Sequence, residues 1–308
     1  MKKVRFGRAG LNVSVLGFGA APVGFLQTER RRVGDMLNSL LDAGMNLIDT
    51  AANYQGAEEL IAETVGGRRA DYVLVSKCGH ELPDLKGRPW SAELVTKTVD
   101  RSLRRLRTDV LDVMLLHSCD LATLNAGEAL GALVKARDAG KVRFVGYSGD
   151  NEAAAYAAAL PDVTVIETSV NVADQVNIDK VLPACVKHDV GVLAKRPVAN
   201  AAWKDIEEQP GVYKSYAKTY TERLAKMRLD PAALGFRGPA ERAWPELALR
   251  FTLAQRGVHC AIIGTTNPEN ARANLEAAAK GPLPPEVVRK VREAFRAADP
   301  KGEWEGQT

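Results

Sequence analysis

Short apolar, β-branched runs alternate with longer stretches of helically spaced apolar residues along most of the chain, a rhythm that predicts parallel strands joined by helices. The strand-like runs cover residues 15–19, 46–50, 72–77, 110–117, 142–148, 164–168, 191–194 and 260–264, eight in all. Helical patterns fall at 29–43, 57–66, 91–106, 126–139, 151–160, 179–188 and 242–256, and two more, 267–279 and 285–298, follow the last strand. A short polar start with turn signals at Gly7-Arg8-Ala9-Gly10 precedes the first strand. Eight strands alternating with helices in about 250 to 300 residues suit a closed (β/α)8 TIM barrel. A doubly wound open sheet would show a composition break between halves, and none is present. The expectation is one α/β barrel domain over 1–308 with an extra C-terminal helix. Segment 197–241, with Trp203, Pro210-Gly211 and three tyrosines, reads as a long polar loop after the seventh strand. Such loops on the βα side of a barrel tend to cover the substrate.

Composition narrows the function classes. With 46% hydrophobic and 26% charged residues, the chain is ordinary globular material rather than disordered. Forty-two Lys and Arg against 38 Asp and Glu leave little net charge, and the basic residues are scattered or mixed with acids. The densest basic stretch, 101–107, has apolar residues at helical spacing and reads as a solvated helix face, so no nucleic-acid or membrane partner is expected. Cys78, Cys119, Cys185 and Cys260 are far apart and form no C-x-x-C pair, which argues against a disulfide framework or a zinc site and for a cytoplasmic location. No signal-like N-terminus is seen, nor any apolar run near the roughly 18 to 20 residues that span a bilayer.

The chemistry lies where strands end. Residues 46–50 carry Asp49, 72–77 end in Lys77 and 110–117 end in His117, so three successive strands deliver Asp, Lys and His to one rim. In a barrel that rim is the C-terminal face, where active sites sit. Taken singly, each has an ordinary explanation as a turn former, a solvated cation or a packed histidine; together they form a constellation. Tyr54 lies five residues past Asp49 on the loop into the second helix. A phenol titrates near about 10, and burial alone pushes it further from neutrality, so it needs a close cation to serve as an acid or base. Lys77 supplies one, Asp49 would hold Lys77 protonated and oriented, and His117 could polarise a substrate carbonyl.

The run Asp49-Thr50-Ala51-Ala52-Asn53-Tyr54, then Val75-Ser76-Lys77, then Leu115-Leu116-His117, resembles the Asp, Tyr, Lys and His tetrad of the aldo-keto reductases in order and approximate spacing. The resemblance extends from Gly17-Phe18-Gly19 to Ile262-Ile263-Gly264. It implies hydride transfer between a nicotinamide cofactor and a small carbonyl or alcohol, with Tyr54 as general acid or base.

The same resemblance suggests where the cofactor would lie. Gly19 opens the barrel, and Ser148-Gly149 and Glu167 match the positions that hold the nicotinamide carboxamide, where the family usually has Ser-Asn and Gln. Glu167 can accept a hydrogen bond from the carboxamide but cannot donate one. Lys195-Arg196-Pro197-Val198 match a loop that touches the pyrophosphate. Gly264-Thr265-Thr266, followed by Asn267 as cap and Pro268 at the first helical position, end a strand and start a helix whose free N–H groups suit phosphate. Asn270 and Asn274 match adenosine contacts. NADP(H) is favoured over NAD(H) on family frequency, although Thr266 stands where many NADP-preferring relatives have a cation; Arg272, about a turn on, is the substitute.

Two other readings of the chain fail on spacing. The glycines of 17–24 are interrupted by Pro22 and lack the acidic strand end of a dinucleotide fingerprint. Asp49, His117 and Cys119 fit no standard metal spacing, and Lys77 beside them competes as the positive charge, so no metal is expected. The rivals that remain are an NAD-dependent sugar dehydrogenase and a cofactor-binding regulatory protein of the potassium-channel β-subunit kind. The 197–241 segment, with Phe25, His80 and Trp90 at the rim, would select the substrate.

Overall fold

The computed structural model describes all residues except 27, 28 and 210, and the side chains of 25, 211–213 and 216 also lie outside the description. An antiparallel hairpin, β1 (Lys3–Arg5) and β2 (Asn12–Ser14), precedes eight parallel strands. These are β3 (Leu16–Gly19), β4 (Leu47–Asp49), β5 (Val73–Cys78), β6 (Leu111–His117), β7 (Val142–Ser148), β8 (Val163–Ser169), β9 (Gly191–Lys195) and β10 (Cys260–Ile263). Each pairs with its neighbour in sequence, and β10 pairs back onto β3, closing the (β/α)8 barrel that the alternation predicts.

Alternation of side chains along each strand builds two cores. Inward residues Leu47, Val73, Val75, Val113, Leu115, Val165, Leu193 and Ile262 fill the barrel axis. Outward ones, among them Ile48, Leu74, Met114, Leu116 and Ile166, meet the apolar stripes of the surrounding helices. The N-terminal hairpin, which the sequence suggests only as a polar start with turns, plugs the barrel floor: Phe6 and Val13 are fully buried in the axial core. Gly7 permits this, because a Cβ there would sit 2.4 Å from the Gly191 backbone nitrogen.

Segment 197–241 is not a loop throughout. It contains a 17-residue helix, Gly211–Met227, preceded by two 3-10 turns, Ala199–Ala201 and Ile206–Glu208, and followed by a third, Ala232–Leu234. Ala217, Tyr220, Leu224 and Met227 recur at helical spacing and are buried, the last three in one cluster with Val172, Leu247 and Phe251, so its polarity marks the solvent face of an amphipathic helix. Tyr213 and Tyr216 lie among the side chains not described. The expected helix 126–139 is seen as Glu128–Asp138, set off by Gly127 with φ of 71° from a short helix before it, Leu121–Ala126, whereas the expected 179–188 is split into Val176–Lys180 and Leu182–Lys187. The final helix, Pro285–Ala298, packs beside Gly211–Met227 as the expected C-terminal addition.

Among the described residues, no helix is long and apolar enough to cross a membrane.

Candidate active site

Strand register brings the predicted residues together. Gly19 is paired with Asp49, His117 with Ser148, and Ser148 with Glu167, while Lys77 lies between β4 and β6 on β5. The C-terminal ends of six strands, β3 to β8, therefore form one arc. Just past three of the rim strands the backbone takes left-handed conformations at non-glycine residues, with φ of 60° at Ser118, 57° at Asn151 and 57° at Arg196. Backbone of that kind persists only where surroundings enforce it.

Lys77 is the centre of the arc. Its Nζ donates to Asp49 Oδ1 at 2.5 Å and to the Thr50 carbonyl at 3.0 Å, and lies 3.2 Å from Glu167 Oε2. Lys77 is 1% exposed, and Asp49 and Glu167 are 4% exposed each. Burial pushes the ammonium toward losing its proton, but the two carboxyls outweigh that and hold its pKa above the ordinary value. Burial and the nearby Glu167 raise the Asp49 carboxyl, against the pull of Lys77.

Tyr54 lies over this cluster. Its ring centroid is 5.4 Å from Lys77 Nζ and 6.2 Å from the His117 ring, which it meets edge-on at 81°. The sequence suggests that Lys77 eases the phenol toward ionisation, and it does pull that way. Burial is the larger effect, however, and Asp49 and Glu167 add to it, so the phenol is held above its usual range and keeps its proton. His117 is pushed well below the ordinary histidine value, first by burial and then by the Lys77 charge, so its imidazole is neutral.

His80 and Trp90 do stand at the rim. The His80 ring is 5.0 Å from His117 and 5.1 Å from Trp90, so the three rings form a wall beside Tyr54. Gly79 makes room for it: with φ of 120°, a Cβ there would lie 2.4 Å from the Trp90 indole. Trp90 Nε1 is buried without a hydrogen-bond partner. Phe25 belongs to the side chains not described.

The remaining predicted residues separate into two groups. Ser148, Gly149 and Glu167 are buried side by side, and Glu167 Oε2 accepts no hydrogen bond. A buried carboxyl oxygen that faces the Lys77 ammonium at 3.2 Å but accepts no hydrogen bond, next to a serine, suits a carboxamide, which offers an N–H and a carbonyl to such a pair. Further round the rim, Lys195 and Arg196 are already engaged. Lys195 Nζ is 2.8 Å from Asp150 Oδ2, and Arg196 donates to the Gln307 carbonyl at 2.7 Å and to Tyr220 Oη at 3.5 Å. Pro197 and Val198 pack inward, with the Pro197 carbonyl accepting from Thr252 at 3.4 Å. Gly264, Thr265 and Thr266 lead into the helix Pro268–Ala279, which Asn267 caps by accepting from the Glu269 N–H at 2.9 Å. Asn274 is buried and Asn270 exposed on that helix. Arg272 projects into solvent, 72% exposed, with Glu276 4.0 Å away.

Sequence reasoning missed Asp150 and the C-terminal segment. Asp150 precedes the helix Asn151–Ala159 and reads as an ordinary cap, yet its Oδ1 accepts from Thr168 Oγ1, the Ser169 N–H and Asn177 Nδ2, leaving Oδ2 for Lys195. Residues 304–307 return to the rim, where Arg223 donates to the Glu305 carbonyl and Asn151 exchanges hydrogen bonds with Gly306. No periodicity signals a short irregular segment of this kind.

A profile of the Aldo/keto reductase family matches residues 15–296. The Bacillus subtilis (strain 168) protein described as the uncharacterized oxidoreductase YqkF is 25% identical over 95% of this chain and 96% of its own length. L-galactose dehydrogenase of Arabidopsis thaliana is 27% identical over 88% of this chain and 86% of its own. Among solved structures, the holo form of aldo-keto reductase AKR11C1 from Bacillus halodurans superimposes with a TM-score of 0.79 at 26% identity, covering 96% of this chain and 97% of that one. A family match running through every barrel strand, on a closed barrel with these residues at its mouth, makes this chain a member of the aldo/keto reductase family, oxidoreductases that work with nicotinamide cofactors.

Proposed function

We propose that the protein interconverts small aldehydes or ketones and their alcohols, with Tyr54 as the proton donor to the carbonyl oxygen. The observation that carries this reading is the buried Lys77, bound to Asp49 at 2.5 Å and lying 5.4 Å from the Tyr54 ring. A nicotinamide cofactor, when bound, supplies or accepts the hydride. Everything else falls to the chain. Tyr54 enters the cycle carrying its proton, because burial holds the phenol protonated. As a carbonyl oxygen gains negative charge, Tyr54 passes that proton to it, and the Lys77 ammonium stabilises the phenolate left behind. Neutral His117 can donate one hydrogen bond to the same oxygen without competing as an acid. Ser148 and Glu167 would hold the carboxamide, and the wall of His80 and Trp90 would face the substrate.

Spectrophotometric turnover of a panel of small aldehydes, ketones and sugars, in both directions with each nicotinamide cofactor, tests the reading. Cofactor binding without turnover of any member would overturn the catalytic assignment.

A second reading, an NAD-dependent sugar dehydrogenase, is favoured by one observation over the NADP(H) preference. Thr266 itself carries no cation, and Arg272 is largely exposed with Glu276 4.0 Å away, so the position that would meet a 2′-phosphate is not a dedicated charge. The likeness to an L-galactose dehydrogenase is in keeping with it. Dissociation constants for NAD+ and NADP+ separate the two readings: tighter NADP+ supports the first, tighter NAD+ the second.

A further inference from the structure

Glu167 sits at the C-terminal end of β8, opposite Ser148 on one side and Leu193 on the other. It places a second carboxyl against an ammonium that already has a partner. Lys77 Nζ is bound by Asp49 at 2.5 Å and by the Thr50 carbonyl at 3.0 Å, with Glu167 Oε2 further off at 3.2 Å and accepting no hydrogen bond. The other lysine of this rim does not compensate it, since Lys195 is paired with Asp150. A neutral amide would satisfy a carboxamide at least as well, because it can both donate and accept. What a carboxyl offers beyond an amide is charge.

The nicotinamide ring is cationic when oxidised and neutral when reduced. A buried carboxyl beside it therefore interacts differently with the two states, whereas an amide barely distinguishes them. Resting on the reading of this site as a nicotinamide centre, we propose that Glu167 sets its redox-state preference, making the protein hold the oxidised cofactor more tightly than the reduced one. Bound reduced cofactor is then a stronger hydride donor than it is in solution, and release of the oxidised form is slow. Glu167 acts as a specificity-determining residue through charge rather than through contact with substrate.

The test is fluorescence titration of the full chain with NAD+, NADH, NADP+ and NADPH in one buffer, for the wild type and Glu167→Gln. Gln is isosteric and leaves the Lys77–Asp49 pair in place, and circular dichroism checks the fold. The ratio of oxidised to reduced dissociation constants should rise about tenfold in the variant, mainly through weaker binding of the oxidised form. An unchanged ratio overturns the inference. If the variant fails to fold, the wild type alone decides: tighter oxidised binding supports Glu167, and tighter reduced binding overturns it. Failure of the wild type to bind any of the four removes the nicotinamide reading itself, and this inference with it.

Discussion

Lys77→Met is the most demanding perturbation of the site. It deletes an ammonium bound to Asp49 at 2.5 Å and lying 3.2 Å from Glu167, leaving two carboxyls, each 4% exposed, without a cation. Removing one partner of a buried ion pair costs about 3–5 kcal/mol, which for a chain of 308 residues lowers Tm by roughly 5–8 °C. The loss depends on pH in a predictable direction. Burial and Glu167 already raise the Asp49 carboxyl in the wild type, with Lys77 pulling the other way, so deleting Lys77 raises it further. The folded variant then binds protons that the unfolded chain, with Asp near about 3.9, does not bind at neutral pH. Its deficit should accordingly be greatest at neutral pH and above, and shrink as the pH is lowered toward that value. Thermal melts followed by circular dichroism across this range provide the assay. A triple variant, Asp49→Leu with Lys77→Met and Glu167→Leu, replaces the whole cluster by apolar groups and should recover most of the stability. A Lys77→Met protein within about 1 kcal/mol of wild type at neutral pH, or one whose deficit grows in acid, would refute the reasoning.

Three further outcomes follow from neighbouring features. Gly79→Ala, with its Cβ 2.4 Å from the Trp90 indole at a φ of 120°, should cost about 2–3 kcal/mol and shift the tryptophan emission; an unaltered melt and spectrum would show that the His80 and Trp90 wall is not held there. Deleting residues 304–308 removes the carbonyls that Arg223, Arg196 and Ser169 bind at 2.7, 2.7 and 2.9 Å, and at roughly 1 kcal/mol each should lower stability by about 3 kcal/mol and speed proteolysis at the rim; an unchanged Tm would count against the segment as a fixed part of the mouth. Because burial and the Lys77 charge push His117 well below its ordinary value, kcat/KM should show no histidine step near about 6.5, while the unfolded chain takes up that proton and stability falls as pH drops through the same range. A step near 6.5 that disappears in His117→Gln would contradict the neutral assignment.

The barrel was legible because parallel strands buried on both faces are near-continuous apolar runs, as in Leu111–His117, and because polar residues closing such runs mark one rim. Asp49, Lys77 and His117 stood out as the ends of three successive strands, and Tyr54 by its distance from Asp49. The helix Gly211–Met227 was less visible, since among its described side chains the buried apolar ones are Ala217, Tyr220, Leu224 and Met227, spread among residues that give the polarity of a loop. The hairpin plug at Phe6 and Val13 was hidden because strands of three residues carry too little alternation to register. What sequence could not give was partnership. Nothing in Lys195-Arg196 announces that Asp150 and Gln307, far apart in the chain, already engage both side chains. Nor does a Glu in place of a Gln announce that its carboxyl joins the Lys77 cluster.

The central claim, that Tyr54 delivers the proton at a nicotinamide-binding mouth, is tested most directly by Tyr54→Phe, measured for cofactor dissociation constant and for single-turnover hydride transfer on the best substrate of the panel. The substitution removes one hydroxyl and leaves Lys77, Asp49 and Glu167 bound to one another. The account predicts cofactor binding within about threefold of wild type and a turnover reduced about 10²–10⁴-fold, the range expected when a positioned acid is removed. Turnover equal to wild type in the Phe variant would contradict it.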